Sequence, residues 1–230
     1  MTTFADKIIL FNKNLEYKGN LPDGIWIMNP FKENPNILPI SSEFYKKYYS
    51  DNNYRHLILG INPGRLGAGL TGIPFTDPKR LIEKCEIEYK DQMAHEPSSV
   101  FIYDMIDSFG GVDLFYKKFY INSICPLGFT ALGKNNKEVN YNYYDSKALT
   151  NSVKNFIIQS IKTQIDFGIN TDICFCLGTS DNYRFLLELN NEKNFFKKII
   201  PLDHPRYIMQ YKSKLKLDYI DKYLKAFNNI

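Results

Sequence analysis

Short, continuously apolar runs separated by helix-length segments constrain this chain more than any other feature. His56-Leu-Ile-Leu-Gly-Ile61, Phe119-Tyr-Ile-Asn-Ser-Ile124, Asp172-Ile-Cys-Phe-Cys-Leu177 and Lys198-Ile-Ile-Pro-Leu202 read as strands. They lack the strict apolar–polar alternation of a half-exposed strand, so both faces of each are expected to be covered. The segments between them carry helical spacing. Phe4, Ile8, Phe11 and Leu15 share one face of a first helix, and Leu149, Val153, Phe156, Ile157, Ile161 and Ile165 one face of a long helix from Ser146 to Asp166. Ile220, Tyr223, Leu224 and Phe227 line the inner side of a last helix. Strands alternating with helices predict an α/β fold with a mostly parallel sheet of about four strands, helices on both faces. With no internal repeat or linker, the 230 residues are expected to form a single domain, 1–230.

The remaining segments are less regular. Gly19 to Pro39 is turn-rich, with Pro22, Pro30, Pro35 and the only tryptophan, Trp26; a loop of that length is expected to be functional or draped over the core. Ser41-Ser42-Glu43 is expected to cap a short helix bearing Phe44, Tyr45, Tyr48 and Tyr49. Asp77-Pro78 supplies an N-cap and a first-turn proline, Ser98 to Phe109 reads as helical, and Tyr141 to Tyr144 sits in an Asn-rich loop.

Composition mainly excludes. With 44% hydrophobic and 23% charged residues, long disorder and collagen-like repeats are out. The balance of 29 Lys+Arg against 25 Asp+Glu suits a polyanionic partner without demonstrating one. Cys85, Cys125, Cys174 and Cys176 form no C-x-x-C pair, so zinc-ribbon and iron–sulfur spacings are missing and no metal or cofactor is expected. Cys174 and Cys176 read as buried strand residues in a reducing compartment. No apolar run is long enough to span a bilayer, and the N-terminus shows no secretory pattern; a soluble, cytoplasmic monomer is expected.

In open parallel sheets ligands bind outside the carboxyl ends of the strands. That rule puts Asn62, Asn122, Gly178 and His204 on one rim. The loop after the first strand, Gly60-Ile-Asn-Pro-Gly64-Arg-Leu-Gly67-Ala-Gly69-Leu-Thr-Gly72-Ile-Pro-Phe75, is the most informative segment. Its glycines allow positive φ and close backbone approach, yet they form neither a dinucleotide fingerprint nor a P-loop. A tight turn would account for two of the five.

Gly60-x-Asn-Pro-Gly64-x-x-Gly67-x-x-x-Thr71-Gly72-x-Pro74-Phe75 resembles, without a gap, the first motif of the single-strand-selective monofunctional uracil-DNA glycosylases. Asn122, ahead of Cys125-Pro-Leu127, is similar to that family's strand-end Asn, and His204-Pro205 to its C-terminal His-Pro motif. The resemblance implies a three-layer α/β/α sandwich that acts on DNA and hydrolyses the N-glycosidic bond of deoxyuridine, with no membrane partner.

Residue chemistry agrees with that implication. Uracil leaves as an anion while the sugar gains oxocarbenium character, so the site needs donors aimed at the base. His204 is expected to donate to uracil O2, and Asn62 to hold a water beneath C1′. Phe75 offers a stacking face for an extruded base, and Asn122 a donor and an acceptor for O4 and N3–H. Gly60, Gly64, Gly67 and Ala68 are expected to line the base pocket, with backbone amides at its edge and room beside C5 at Gly64. After Pro205 the chain departs from the family, reading Arg206-Tyr-Ile-Met-Gln-Tyr211. Arg206, Tyr207, Ile208 and Met209 are expected to fill the gap left by the flipped base, and Lys212, Lys214 and Lys216 to meet phosphates of single- or double-stranded DNA. His56 and His95 fall in no motif and read as ordinary structural histidines. Two other readings stay open on sequence alone: a non-catalytic lesion-sensing module on the same fold, and a nucleotide enzyme using the Gly-rich loop.

Overall fold

The computed structural model describes residues 2–229. Helix α1 (Phe4–Lys13) is capped by Thr3, whose hydroxyl and the Asp6 carboxylate satisfy each other's backbone N–H groups. There follow β1 (Ile25–Met28), α2 (Pro30–Glu33), α3 (Ile37–Tyr49), β2 (Arg55–Gly60), α4 (Ala68–Thr71), α5 (Pro78–Cys85), α6 (Pro97–Phe109), α7 (Val112–Lys118) and β3 (Phe119–Ser123). The second half contains β4 (Gly128–Leu132), β5 (Glu138–Tyr141), α8 (Lys147–Ile165), β6 (Ile169–Leu177), α9 (Asp181–Lys193), β7 (Lys198–Leu202), α10 (Pro205–Tyr211) and α11 (Lys216–Asn228).

The main sheet has the order β3-β2-β6-β7 and is parallel throughout, with Ile58 paired to Ile121 on one side and Phe175 on the other. Adjacent residues of β3 show its two faces. Phe119 packs on Phe227 of α11 with ring centroids 4.6 Å apart, while Tyr120 meets Phe4 of α1 at 5.5 Å. This is a three-layer α/β/α fold, as the apolar runs predict. All four cysteines are free and buried, Cys174 and Cys176 within β6.

At the amino end of β2, Arg55 is fully buried, stacked on Phe4 and Tyr49. Its guanidinium reaches Asp51 at 2.8 and 3.0 Å and donates to the Tyr116 carbonyl at 2.7 Å. A buried arginine is tolerated because nearly every donor is matched.

Other segments differ from expectation. A second, antiparallel sheet, β1-β4-β5, occupies stretches that read as loops. Gly19 to Pro39 therefore contributes an edge strand and a helical turn. Helix α3 begins at Ile37, so Ser41 and Ser42 lie inside it, their hydroxyls bonded to the Leu38 carbonyl rather than capping its start. Pro39 is accommodated because it falls in the first turn, where no intrahelical N–H bond is lost.

Candidate active site

The chain leaves β2, β6 and β7 at one edge of the main sheet, and cross-links make that edge rigid. Asn182 of α9 donates to the carbonyls of Gly60 and Leu177 at 3.4 and 2.9 Å, and its Oδ1 accepts from the Tyr143 hydroxyl at 2.8 Å. The Gly178 N–H donates to the Leu202 carbonyl at 2.7 Å. Above this edge opens a cavity of about 840 Å³ whose walls include Asn62, Gly64, Phe75, Gly178 and His204.

Asn62 follows the end of β2. Its Oδ1 accepts from the Tyr143 N–H at 3.1 Å, and its Nδ2 donates to the Tyr141 carbonyl at 3.2 Å. The loop after β5 thus fixes the amide, and Oδ1 keeps a second lone pair.

His204 is the N-cap of α10, and its Nδ1 accepts from the Arg206 N–H at 3.1 Å. That bond places the ring proton on Nε2. Desolvation, with the Arg206 charge adding to it, pushes the imidazole down to about 4. The group is a neutral donor at physiological pH. Its ring lies 5.7 Å from that of Phe75, centroid to centroid. Phe75 adopts φ 54°, a left-handed conformation costly for a bulky residue and typical of strain kept at functional sites. Gly60 makes its placement possible, since a Cβ there would stand 2.9 Å from Phe75 ring carbons.

Glu96, the N-cap of α6, also faces the cavity. Its backbone N–H donates to Asp77 Oδ2 at 2.8 Å, and its Oε2 accepts from the Ser99 hydroxyl at 3.0 Å. The carboxyl lies over the Gly-rich loop. A Cβ at Gly67 would come 2.2 Å from Oε2, and one at Gly64 3.3 Å from Oε1. Burial pushes this carboxyl up to about 7; the Ser99 bond and Arg206 oppose the shift, and the Asp77 charge adds to it. Close approach, more than positive φ, therefore explains the glycines, for only Gly72 of the five has a left-handed φ.

Several sequence expectations need correction. Gly67 and Ala68 do not line the main cavity: Gly67 is covered by Glu96, and Ala68 borders a separate space of about 20 Å³ with Pro63, Pro74 and Asn122. Two of the loop amides expected at the base edge are already used, Arg65 N–H by Asn140 Oδ1 and Gly67 N–H by the Gly64 carbonyl. Gly60 supports Phe75 from beneath and is not itself on the wall. Asn122, expected on the same rim, is likewise off the main cavity wall and borders the small space beside Ala68; it is buried, its Nδ2 donating to the Tyr120 hydroxyl at 2.7 Å and its Oδ1 accepting from the Ser123 N–H at 2.8 Å. Each end of that amide retains one further hydrogen-bonding valence.

On α10 the helical period sorts the expected DNA contacts. Arg206, Tyr207 and Met209 face the cavity, whereas Ile208 is fully buried and cannot act as a wedge. Tyr211, which the sequence reading did not select, is exposed and lies 5.7 Å from Tyr207, ring to ring. Lys212 and Lys214 lie past the helix end, off the cavity wall. Lys216 is paired with Asp104 at 2.6 Å, which commits it to the fold. His56 and His95 stay outside the cavity. Glu96, Asn140, Tyr143 and Asn182 were not legible as site residues; Glu96 carried only the signal of standing before a helix-opening proline.

The profile of the uracil DNA glycosylase superfamily matches residues 46–228. Among solved structures, the crystal structure of wild-type SMUG2 from Pedobacter heparinus is similar at 61% identity, covering 100% of this chain and 98% of that one with a TM-score of 0.97. No curated protein sequence matches. A match over most of the chain, on a fold that brings the Gly-rich loop after β2 and the His204-Pro205 turn after β7 to one cavity, places the protein in the uracil DNA glycosylase superfamily, hydrolases of DNA repair.

Proposed function

We propose that the protein is a monofunctional glycosylase that hydrolyses the N-glycosidic bond of deoxyuridine in DNA and leaves an intact abasic site. The neutral, Nε2-protonated His204 facing Phe75 carries this reading. A flipped base stacked on Phe75 presents O2 to His204 Nε2–H, where negative charge develops as the bond breaks. An imidazole that is already neutral binds that charge without first losing a proton.

Asn62 accepts an O–H of the attacking water on its remaining Oδ1 lone pair and so orients the oxygen toward C1′. A base seated past Phe75, deep enough to reach the small space that Asn122 borders, receives the free Asn122 N–H on O4 and gives N3–H to its free lone pair. With C5 turned toward Gly64, the base edge meets Glu96 Oε1 and Asn140 Nδ2, which flank the Cβ position there at 3.3 and 3.6 Å. Those polar walls favour small polar 5-substituents over the methyl of thymine. Arg206, Tyr207, Met209 and Tyr211 form the edge that meets the strand.

The test is a labelled uracil oligonucleotide incubated with enzyme and EDTA, then cleaved with alkali at abasic sites. Strand breaks with wild type, and a fall of roughly 10²–10³ in single-turnover rate for Asn62→Ala and for His204→Ala, are expected. A gel shift without strand breaks would make the protein a binder. High-yield borohydride trapping on DNA would make it a lyase, which no strand-end lysine supports.

A further inference from the structure

Glu96 is a carboxyl on the cavity wall to which the reading above gives contact with the base edge but no protonation state and no part in the bond cleavage. Its position is built rather than incidental. The glycines at 64 and 67 leave the space that the carboxyl fills, Ser99 holds Oε2, and the backbone N–H is pinned by Asp77. Among the described residues no protein donor is recorded to Oε1, the oxygen over Gly64. The other carboxylate on the wall, Asp203, is neutralised by Lys222 at 2.6 Å.

Uracil O4 has two lone pairs in the base plane, one toward N3 and one toward C5. Asn122, which also takes N3–H, serves the first. In the pose proposed above, with C5 turned toward Gly64, the second faces Glu96 Oε1. We propose that Glu96 in its carboxylic acid form is a base-reading residue, donating Oε1–H to O4 from the C5 side and stabilising the departing uracil anion together with His204. This rests on the uracil glycosylase reading above and adds a donor to it.

The charges around Glu96 agree. Asp77 stands behind it on α5, itself bonded to Arg80 at 3.3 Å with His95 at 3.7 Å, while Arg206 on α10 is the cation on its cavity side. A DNA phosphate that engages Arg206 weakens the one influence that favours ionisation from that side. The neighbouring phosphates then raise the proton affinity of Glu96 further. An ionised carboxylate in this place would repel both O4 and the leaving anion, so the site works with the proton on. A carboxyl kept neutral by its surroundings in order to donate is a known way to hold an oxyanion.

The experiment is single-turnover uracil excision from about pH 6 to about pH 8.5, below the titration of uracil itself, with wild type, Glu96→Gln and Glu96→Ala. Wild type should slow as pH rises through 7, by up to roughly 30-fold at about pH 8.5 if only the protonated form works. Glu96→Gln, whose amide donates more weakly but never ionises, should be several-fold slower at acid pH, flat across the range, and faster than wild type at its alkaline end. Glu96→Ala should be slow and flat throughout. A flat wild-type profile overturns the proposal, and so does Glu96→Ala matching wild type at pH 6. A Glu96-dependent rate that increases with pH would make the carboxylate a proton acceptor, also overturning it. Wild type inactive on uracil at every pH removes the glycosylase reading and this inference with it, whereas an active wild type with an indifferent Glu96 removes only the inference.

Discussion

His204 and Glu96 face one cavity that disfavours charge on either, and this gives folding stability two pH dependences of opposite sign. For His204 the pKa falls from 6.5 unfolded to about 4 folded. Between those values the unfolded chain binds more protons, so the stability contributed by the neutral ring is complete above pH 6.5 and lost as pH falls toward 4. For Glu96 the pKa rises from 4.5 to about 7, so its contribution is complete below 4.5 and lost as pH rises through 7. Each shift corresponds to about 3 kcal/mol at 1.36 kcal/mol per pH unit, an upper figure for half-buried groups. A chain of 230 residues unfolds with an entropy of roughly 0.5 kcal/mol/K, so about 3 kcal/mol moves Tm by about 6 °C. Between pH 4.5 and 6.5 the two slopes nearly cancel, and the variants expose them. Relative to wild type, Glu96→Gln should gain up to about 6 °C in Tm on going from about pH 4.5 to about pH 8. His204→Gln should instead lose its disadvantage, by a similar amount, on going from about pH 6.5 down to about pH 4. Calorimetry across that range decides. Variant-minus-wild-type differences that stay constant with pH, or share one sign of slope, would refute the placement of both groups in a charge-excluding pocket. A stabilised Glu96→Gln that is also slow at acid pH would carry the mark of a residue kept for function at a cost in stability.

Gly60→Ala should slow uracil excision by 10-fold to about 10²-fold with a small change in Tm, because its Cβ would displace the Phe75 ring; an unchanged single-turnover rate would remove Phe75 from the site. Asn122→Asp should lose uracil excision by roughly 10²-fold, because Tyr120 O–H and Ser123 N–H can both donate to a carboxylate and keep it ionised near neutral pH. Cytosine excision by that variant should then appear only in acid, as a pH series on paired uracil and cytosine oligonucleotides would show. Arg55→Leu should lower stability by about 3 kcal/mol through the stranded Asp51 and Tyr116 groups, read by urea denaturation, while the excision rate of the folded fraction stays at the wild-type value.

The main sheet was legible because parallel strands buried on both faces must be apolar throughout, and His56 to Ile61 or Asp172 to Leu177 can hardly be anything else. The second sheet was not. Its strands are short and two of them lie at edges, so β5, Glu-Val-Asn-Tyr, carries a loop composition and gains its conformation from pairing with β4. The start of α3 was misplaced because Ser41-Ser42-Glu43 imitates a cap, whereas the Asn36 side chain makes no capping bond and turns instead to Asp91 at 3.2 Å, so tertiary packing sets the boundary. On α10 the stretch from Arg206 to Met209 reads as four equivalent candidates, and only the helical period turns Ile208 into the core.

The site divides along the same line between local and non-local determinants. Asn62, Phe75 and His204, cavity-wall residues of the proposed site, sit in short motifs that local sequence announces, as does Asn122 beneath the wall. The groups that decide what those side chains can do come from elsewhere in the chain. Tyr141 and Tyr143 orient Asn62 from about 80 residues away, a consequence of the small sheet that sequence alone hid. Glu96 reaches Gly64 and Gly67 because Asp77 caps α5 with one carboxylate oxygen and holds the Glu96 backbone with the other, joining two helix starts at one residue. Asp77 therefore serves the site without lining it. An Asp77→Asn change would keep the cap on its one remaining oxygen while removing the negative charge behind Glu96 and replacing the oxygen that accepts the Glu96 N–H with an amide donor, so that bond is lost. The chemistry of the pocket thus depends on a residue whose sequence context shows only an ordinary helix cap.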